Sequence, residues 1–176
     1  MSESRKIREK VLRLLQGKSV LDIGCGSEKI VSWAVGVDDG REWPKLPAAV
    51  NINAPVDPDS KGLNFLHERP EGGYFDVVFS SHTLEHIRAP IRETVHYWLC
   101  FVKPGGKLVL YLPDERYYVY DPKVRTARNP THAHFLTYDT FIWHLQQIPG
   151  IIIEEYYQDV GRDRYSFVAV IKRKVA

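Results

Sequence analysis

The sequence predicts an α/β fold built on a mostly parallel central sheet, with helices on both faces and an antiparallel hairpin strand near the C-terminus. Short apolar runs alternate with amphipathic helical segments, two β-rich runs close the chain, and a glycine turn joins the first two runs. Alternating strands and helices are typical of parallel sheets, because parallel neighbours need crossover connections. In such sheets ligands bind beyond the carboxyl ends of the strands, so functional residues are expected there.

The composition is that of a globular protein of one domain. The 176 residues are 44% hydrophobic and 26% charged, which suffices for one core, so we expect a single domain over residues 1–176. The net charge of +2 is too small to favour nucleic acid or a membrane surface. Two cysteines, no leader-like N-terminus and no run of about 20 apolar residues favour a cytoplasmic protein without membrane association. These features leave the oligomeric state and a protein partner open.

The N-terminal half is predicted to supply one helix and three strands. Apolar residues from Ile7 to Leu15 recur at helical spacing, and Gly17 is a typical helix end. The predicted strands are Val20–Gly24, Ala34–Asp38 and Ala48–Asn53. The space between the first two strands is too short for an ordinary crossover helix with its loops.

The C-terminal half is predicted to add two parallel strands, two helices and a hairpin. The strands are Tyr74–Ser81 and Gly106–Pro113, and between them an apolar face from Ile91 to Val102 predicts a helix that "KPGG" ends. A second helix is expected at about Tyr138–Gln147, with Thr137 as its N-cap. The runs "IIIEEYYQDV" and "YSFVAVIKR", joined by "GRDR", predict an antiparallel hairpin.

A nucleoside site is indicated where the first two strands end. The turn Gly24-Cys25-Gly26 lets a ligand approach backbone N–H groups without meeting a Cβ atom. Asp38, at the end of the second strand, can accept two hydrogen bonds from a ribose diol. A dinucleotide motif would have a third glycine where Lys29 stands, so pyrophosphate binding and a nicotinamide cofactor are disfavoured.

Four segments, in this order and spacing, resemble the motifs of class I S-adenosylmethionine-dependent methyltransferases. They are "VLDIGCG", "GVD", "FDVVFSSHTLEHI" and "FVKPGGKLVLYLPD", which together extend from Val20 to Asp114. The segment "NPTHAHFLT", Asn129–Thr137, extends the resemblance to a group of small type-11-like methyltransferases. The resemblance implies a Rossmann-like methyltransferase fold, S-adenosylmethionine as cofactor and S-adenosylhomocysteine as product.

The same resemblance implies a set of cofactor-binding residues. Asp22 would lie near the methionine amino group, Asp38 would hold the ribose hydroxyls, and Asp39 would lie beside the adenine. The adenine amino group would be read by Asn53, which fits by position, or by Asp57, which fits by chemistry. The remaining implied contacts are the turn Gly24, Cys25 and Gly26 along the methionine part and ribose, and Ser80 and Ser81 over the cofactor.

Histidines are the leading candidates on the acceptor side, where a base would accept a proton from the acceptor if one is used. We expect His82, His132 and His134 to act there, and His86 to be structural more than functional. His132 and His134 are two apart, so in an extended segment they would point the same way. They could join His82 at a metal, but zinc sites usually show more ligands, so we expect no metal.

The predicted function is methyl transfer from S-adenosylmethionine to oxygen or nitrogen of a small-molecule or glycan-like acceptor. Tyr117, Tyr118 and Tyr120, with Arg116, would stack on that acceptor or pack beneath a lid. Nucleic acid is disfavoured as a partner, because no segment combines aromatic and basic residues densely. The alternative is a cofactor-binding or non-catalytic partner module with the same fold.

Overall fold

A seven-stranded sheet forms the centre of the computed structural model, which describes residues 3–38, 52–53, 75–118, 129–161 and 164–175. The strand order is β3-β2-β1-β4-β5-β7-β6. Strands β1 to β5 pair in parallel, and β7 is antiparallel to both β5 and β6. The elements are α1 Glu3–Leu15, β1 Val20–Ile23, β2 Val35–Asp38, β3 Ile52–Asn53, β4 Phe75–Ser81, α2 Ile91–Leu99, β5 Val102–Pro113, α3 Tyr138–Gln146, β6 Ile151–Gly161 and β7 Arg164–Arg173.

Helices cover both faces of this sheet, which confirms the predicted fold class. In β4, Val77 and Phe79 point to the face that α1 covers, whereas Val78 points to the face that α2 and α3 cover. This alternation follows from the two-residue period of a strand. The buried residues of α1 are Ser4, Ile7, Val11 and Leu15, at the helical spacing that the sequence predicts. None of the helices in the described ranges is long and apolar enough to cross a membrane.

The short connection between β1 and β2 contains turns and no helix. Ile30 and Val31 are buried in it and fill the core beside α1. Arg8 fastens the connection to α1, because its side chain donates hydrogen bonds to the backbone oxygens of Ile30 and Lys29 at 2.7 and 3.0 Å. Two buried apolar side chains therefore stand where a longer crossover would place a helix.

The boundary between α2 and β5 differs from the predicted one. The helix ends at Leu99 and β5 begins at Val102, so "KPGG" lies within the strand rather than in a loop. Val102 pairs with Phe75, and the register shifts before Lys107 pairs with Val77. This irregularity places Gly105 at a φ of 78°, a conformation that glycine adopts without strain.

The C-terminal elements agree closely with the sequence prediction. Thr137 is the N-cap of α3, and its side chain accepts a hydrogen bond from the backbone N–H of Thr140. Strands β6 and β7 form the predicted antiparallel hairpin, which reaches Gly161 and Arg164. Strand β7 lies between β5 and β6, so the hairpin completes the sheet beyond β5.

Candidate active site

The glycine turn after β1 is shaped by two residues in the left-handed region. Gly24 has a φ of 71° and Gly26 a φ of 53°. The backbone N–H groups of Gly24 and Cys25 both donate to the carbonyl oxygen of Val37, at 2.8 and 3.1 Å. The turn also packs tightly, since a Cβ atom on Gly24 would lie 2.0 Å from Thr83 Oγ1, in the segment after β4. Glycine is therefore required at residue 24 by both conformation and space.

Asp38 at the end of β2 closes the other side of this turn. Its Oδ2 accepts a hydrogen bond of 2.8 Å from the backbone N–H of Gly26. The residue is buried, with 8% of its surface exposed. A carboxylate that is fixed beside a Cβ-free turn suits the hydroxyls of a ribose, so the geometry fits the nucleoside part of S-adenosylmethionine.

Asp22 on β1 is a buried carboxyl group with one engaged oxygen. Its Oδ2 accepts a 2.6 Å hydrogen bond from the backbone N–H of Ile30. Its Oδ1 is buried, and no residue of the described ranges gives it a hydrogen bond. Burial raises the pKa of Asp22 to about 7. A cationic group beside Oδ1 would favour the ionised form, which fits a ligand that carries an ammonium and a sulfonium.

Two hydroxyls at the end of β4 complete this edge. The Oγ atoms of Ser80 and Ser81 are buried, and neither has a hydrogen-bond partner within the described ranges.

Burial also raises the pKa of the Cys25 thiol to about 12, which keeps it protonated at neutral pH. Seven predicted cofactor residues thus lie in or just beyond the carboxyl ends of the adjacent strands β1, β2 and β4: Asp22, Gly24, Cys25, Gly26, Asp38, Ser80 and Ser81.

The adenine end of the predicted site lies mostly outside the described residues. Asp39 and Asp57 fall outside them, and for Asn53 only the backbone is described, paired with Asp38 in β3. The choice between Asn53 and Asp57 as the reader of the adenine amino group therefore stays a prediction.

His82 is held in a packed environment rather than presented to an acceptor. It has a φ of 49°, and its ring lies against Tyr111 and Tyr165, with centroids 5.4 and 5.8 Å away. Its Nε2 lies 2.9 Å from Ser166 Oγ. Burial lowers the pKa of His82 to about 3, so it is a weak base at neutral pH. The geometry favours a structural role for His82 over the acceptor-side role that we expect from the sequence.

His132 and His134 contact different groups, because the chain bends between them instead of running extended. His132 Nδ1 forms a short contact with Glu115 Oε1, and both side chains are nearly buried. His134 Nε2 lies 3.0 Å from the carbonyl oxygen of Ala89. Within the described residues the two rings have different hydrogen-bond partners, and the acceptor-side role of each stays a prediction.

His132 belongs to a compact cluster of three residues that the sequence analysis does not predict. Ligand-type atoms of Glu85, His86 and His132 all lie within 4.8 Å of one another, and we call these three residues the His/Glu cluster. Glu85 is fully buried in a 3₁₀ turn, Leu84–His86, that follows β4. Glu115 follows β5, the neighbour of β4 in the sheet. The carboxyl ends of β4 and β5 are neighbours in the sheet. That adjacency is the signal that could have predicted, from sequence, that Glu85 and Glu115 lie near one another.

The tyrosines after β5 divide between surface and core. Tyr117 is 48% exposed, and the Arg116 guanidinium lies 5.6 Å from its ring centroid. Tyr118 packs against His132 and Tyr165, with centroids 5.1 and 4.9 Å away. Tyr120 lies outside the described residues. Of the two predicted roles, Tyr117 has the exposure for stacking, whereas Tyr118 is a packing residue.

The strand order, the glycine turn and the acid at the end of β2 define a class I S-adenosylmethionine-dependent methyltransferase, with S-adenosylmethionine as its cofactor. A family model described as "Methyltransferase domain" matches residues 2–148, and the chain belongs to that family.

Solved structures of other methyltransferases have the same fold. A SAM-dependent methyltransferase from Archaeoglobus fulgidus aligns with a TM-score of 0.65 and 16% identity, over 97% of this chain and 92% of that one. A 1,6-didemethyltoxoflavin-N1-methyltransferase from Burkholderia thailandensis, solved with S-adenosylhomocysteine, aligns with a TM-score of 0.63 and 14% identity. It covers 99% of this chain and 79% of that one. At these identities the likeness concerns the fold.

Curated relatives with higher identity carry the name tRNA U34 carboxymethyltransferase. The Hydrogenovibrio crunogenus protein is 33% identical over 133 residues, which are 66% of this chain and 40% of that protein. The Pseudomonas syringae pv. tomato protein is 30% identical over 160 residues, which are 78% of this chain and 43% of that protein. The chain therefore spans about two fifths of the length of the curated relatives it matches.

Proposed function

We propose that this methyltransferase modifies RNA of the tRNA class, with S-adenosylmethionine bound at the glycine turn. The observation that carries the proposal is the match to relatives named for a tRNA nucleotide. Those relatives contradict our expectation that disfavours nucleic acid as a partner, and they replace the small-molecule or glycan-like acceptor. The error came from reading basic and aromatic residues within single segments of the sequence.

Folding brings such residues together from separate segments. Trp143 on α3 is 54% exposed, and the Arg92 guanidinium of α2 lies 5.9 Å from its ring centroid. Tyr117 and Arg116 form the second pair, and Phe135, just before α3, is 48% exposed. We call these five residues the aromatic strip. Exposed aromatic rings with an arginine side chain beside them commonly bind unstacked bases of RNA.

The strip is connected through the first turn of α3. Arg116 Nη1 forms a 2.5 Å ion pair with Asp139, and Trp143 lies four residues further on, on the same face of α3. Arg116 is also anchored by the fully buried Asp114, at 2.6 Å from Nη2. The Arg116 end of the strip is therefore anchored at the carboxyl end of β5, which Asp114 directly follows.

In this proposal the chain's own residues bind the cofactor and orient the acceptor. Asp38 and the Gly24–Gly26 turn would hold the nucleoside, and Asp22 would face the cationic methionine end. When bound, S-adenosylmethionine supplies a methyl group on a positively charged sulfur. The strip would fix a nucleotide of the RNA next to the carboxyl edge, where alignment of acceptor and methyl accounts for much of the rate.

Transfer of tritium from methyl-labelled S-adenosylmethionine to tRNA tests this function. We expect the purified chain to label tRNA in a form that a nuclease releases. Mass spectrometry of the digested nucleosides would then locate the added group. Absence of label in RNA, from a chain that binds S-adenosylhomocysteine, would contradict the proposal.

The strip is tested by Trp143→Ala, with Trp33→Ala as a matched control. Trp33 is 50% exposed but lies in the connection between β1 and β2, away from the strip. Loss of one stacked base costs about 1–3 kcal/mol, so we expect Trp143→Ala to raise the KM for tRNA roughly 5- to 150-fold. Trp33→Ala should leave that KM unchanged. Equal KM values for tRNA in both variants would show that the aromatic strip does not bind the RNA.

A further inference from the structure

The His/Glu cluster has the donor set and spacing of a metal site. Glu85 Oε1 lies 3.8 Å from His86 Nε2, and ligand-type atoms of Glu85, His86 and His132 all lie within 4.8 Å of one another. Zinc bonds to imidazole nitrogen and carboxylate oxygen measure about 2.0–2.2 Å, so tetrahedral ligand atoms lie about 3.4 Å apart. To bind one ion, ligand atoms that lie up to 4.8 Å apart would have to approach one another by up to about 1.4 Å.

The hydrogen bonds around His86 fix which of its nitrogens carries the proton. Thr131 Oγ1 donates to Asn129 Oδ1 at 2.7 Å, so its only hydrogen is used there. The same oxygen lies 3.1 Å from His86 Nδ1 and must accept from it. The proton of a neutral His86 is therefore on Nδ1, and Nε2, which lies 3.8 Å from Glu85 Oε1, keeps its lone pair. A carboxylate oxygen and a nitrogen lone pair that approach in this way favour a cation between them.

His132 is oriented in a similar way by Glu115. The contact between His132 Nδ1 and Glu115 Oε1 involves two nearly buried side chains, with 6% and 4% of their surface exposed. It leaves Nε2 as the nitrogen for an ion. A histidine that binds a metal through one ring nitrogen usually donates a hydrogen bond from its other ring nitrogen to a nearby oxygen. We call that oxygen the outer support, because it fixes the orientation of the ring and increases its basicity. Both histidines of the cluster have such a support.

A small pocket borders the cluster at His132. Its volume is about 50 Å³, enough for a water molecule and an ion, and its lining includes Glu115, His132, His134 and Phe135. Phe135 is also part of the aromatic strip. An ion at the cluster would therefore lie near the surface where we place the acceptor.

We propose that Glu85, His86 and His132 bind one divalent transition-metal ion, with Zn²⁺ as the best match, and that one coordination position faces the pocket. Two imidazoles and one carboxylate with an open position are typical of catalytic rather than structural zinc sites. This departs from our expectation of no metal, which considered His82, His132 and His134. The proposal does not depend on RNA as the acceptor.

Zinc titration of the full, tag-free chain tests the site without cofactor or RNA. We expect one equivalent of Zn²⁺ to bind by calorimetry, and Co²⁺ to give the visible absorption bands of a four-coordinate ion. His132→Ala should abolish both signals. Glu115→Gln, which keeps the shape of the outer support but removes its charge, should weaken zinc affinity about 10- to 100-fold.

His96→Ala is the matched control, because His96 is an exposed histidine on α2 outside the cluster. It should bind zinc as the wild type does. Three results would overturn the proposal: no zinc binding by the wild type, unchanged binding in His132→Ala, or equal loss in His96→Ala. Circular dichroism of each variant shows whether the chain is folded. If His132→Ala does not fold, the zinc affinity of Glu115→Gln decides the test.

Discussion

Replacing Gly24 with alanine should lower the free energy of unfolding by about 2–5 kcal/mol, which is a large part of the stability of a domain of this size. An L-residue in the left-handed region costs about 1–2 kcal/mol. The new Cβ atom would also lie 2.0, 2.6 and 2.8 Å from three side-chain atoms of Thr83, including its Cβ. Rotation of Thr83 cannot relieve all three overlaps, so the segment after β4 must shift, at a further cost of about 1–3 kcal/mol.

Gly17→Ala separates the two causes. Gly17 has a φ of 70°, almost the same as Gly24, but nothing lies within 4 Å of the Cβ position. We expect it to lose only the conformational part, about 1–2 kcal/mol. Urea denaturation of both variants measures the difference. Equal losses would show that the contact between the glycine turn and Thr83 is not tight.

Replacing Asp22 with asparagine should make the stability of the protein less dependent on pH. Burial raises the pKa of Asp22 from 3.8 to about 7 in the folded chain. Between these values the folded chain keeps the proton and the unfolded chain has lost it, so wild-type stability falls as the pH rises. Asp22→Asn carries no such proton. Its stability relative to the wild type should therefore increase by about 2–3 kcal/mol between pH 5 and pH 8.

Asp76→Asn is the control for this pH dependence. Hydrogen bonds from Ser19 lower the pKa of Asp76 to about 2, so this group is ionised in both folded and unfolded chains at pH 5 and above. The variant should lose stability equally at pH 5 and pH 8. Denaturation midpoints at the two pH values check both variants. A constant difference between Asp22→Asn and wild type would mean that Asp22 is already ionised at pH 5.

Local patterns were enough to predict most of the fold. The spacing of Ile7, Val11 and Leu15 predicted the buried face of α1, and Thr137 was found at the N-cap of α3. The start of β5 at Val102 was missed, because its pairing with Phe75 and the irregularity at Gly105 depend on a strand distant in sequence. Where a neighbouring strand sets the register, the first and last residues of a strand cannot be predicted from its own sequence alone.

The candidate site was predictable where one motif supplies it and not where several segments meet. Gly26 and Asp38 are predicted from the first connection and the strand that follows it, and a hydrogen bond joins them in the structure. The packing around His82 could not be predicted, because Tyr111, Tyr165 and Ser166, which enclose it, come from distant strands. The aromatic strip was missed for the same reason: Arg92 and Trp143 are separated by about fifty residues of sequence.

The most direct test of the central claim is calorimetric titration of S-adenosylhomocysteine into the wild type and Asp38→Ala, with NADH as a control ligand. The claim is that the glycine turn and Asp38 hold the cofactor. Two ribose hydrogen bonds to a carboxylate contribute about 1.5 kcal/mol or more each, so Asp38→Ala should weaken binding at least about 100-fold. Saturable wild-type binding of S-adenosylhomocysteine but not NADH, lost in Asp38→Ala, is the expected result. Wild-type affinity in a folded Asp38→Ala variant would contradict the claim.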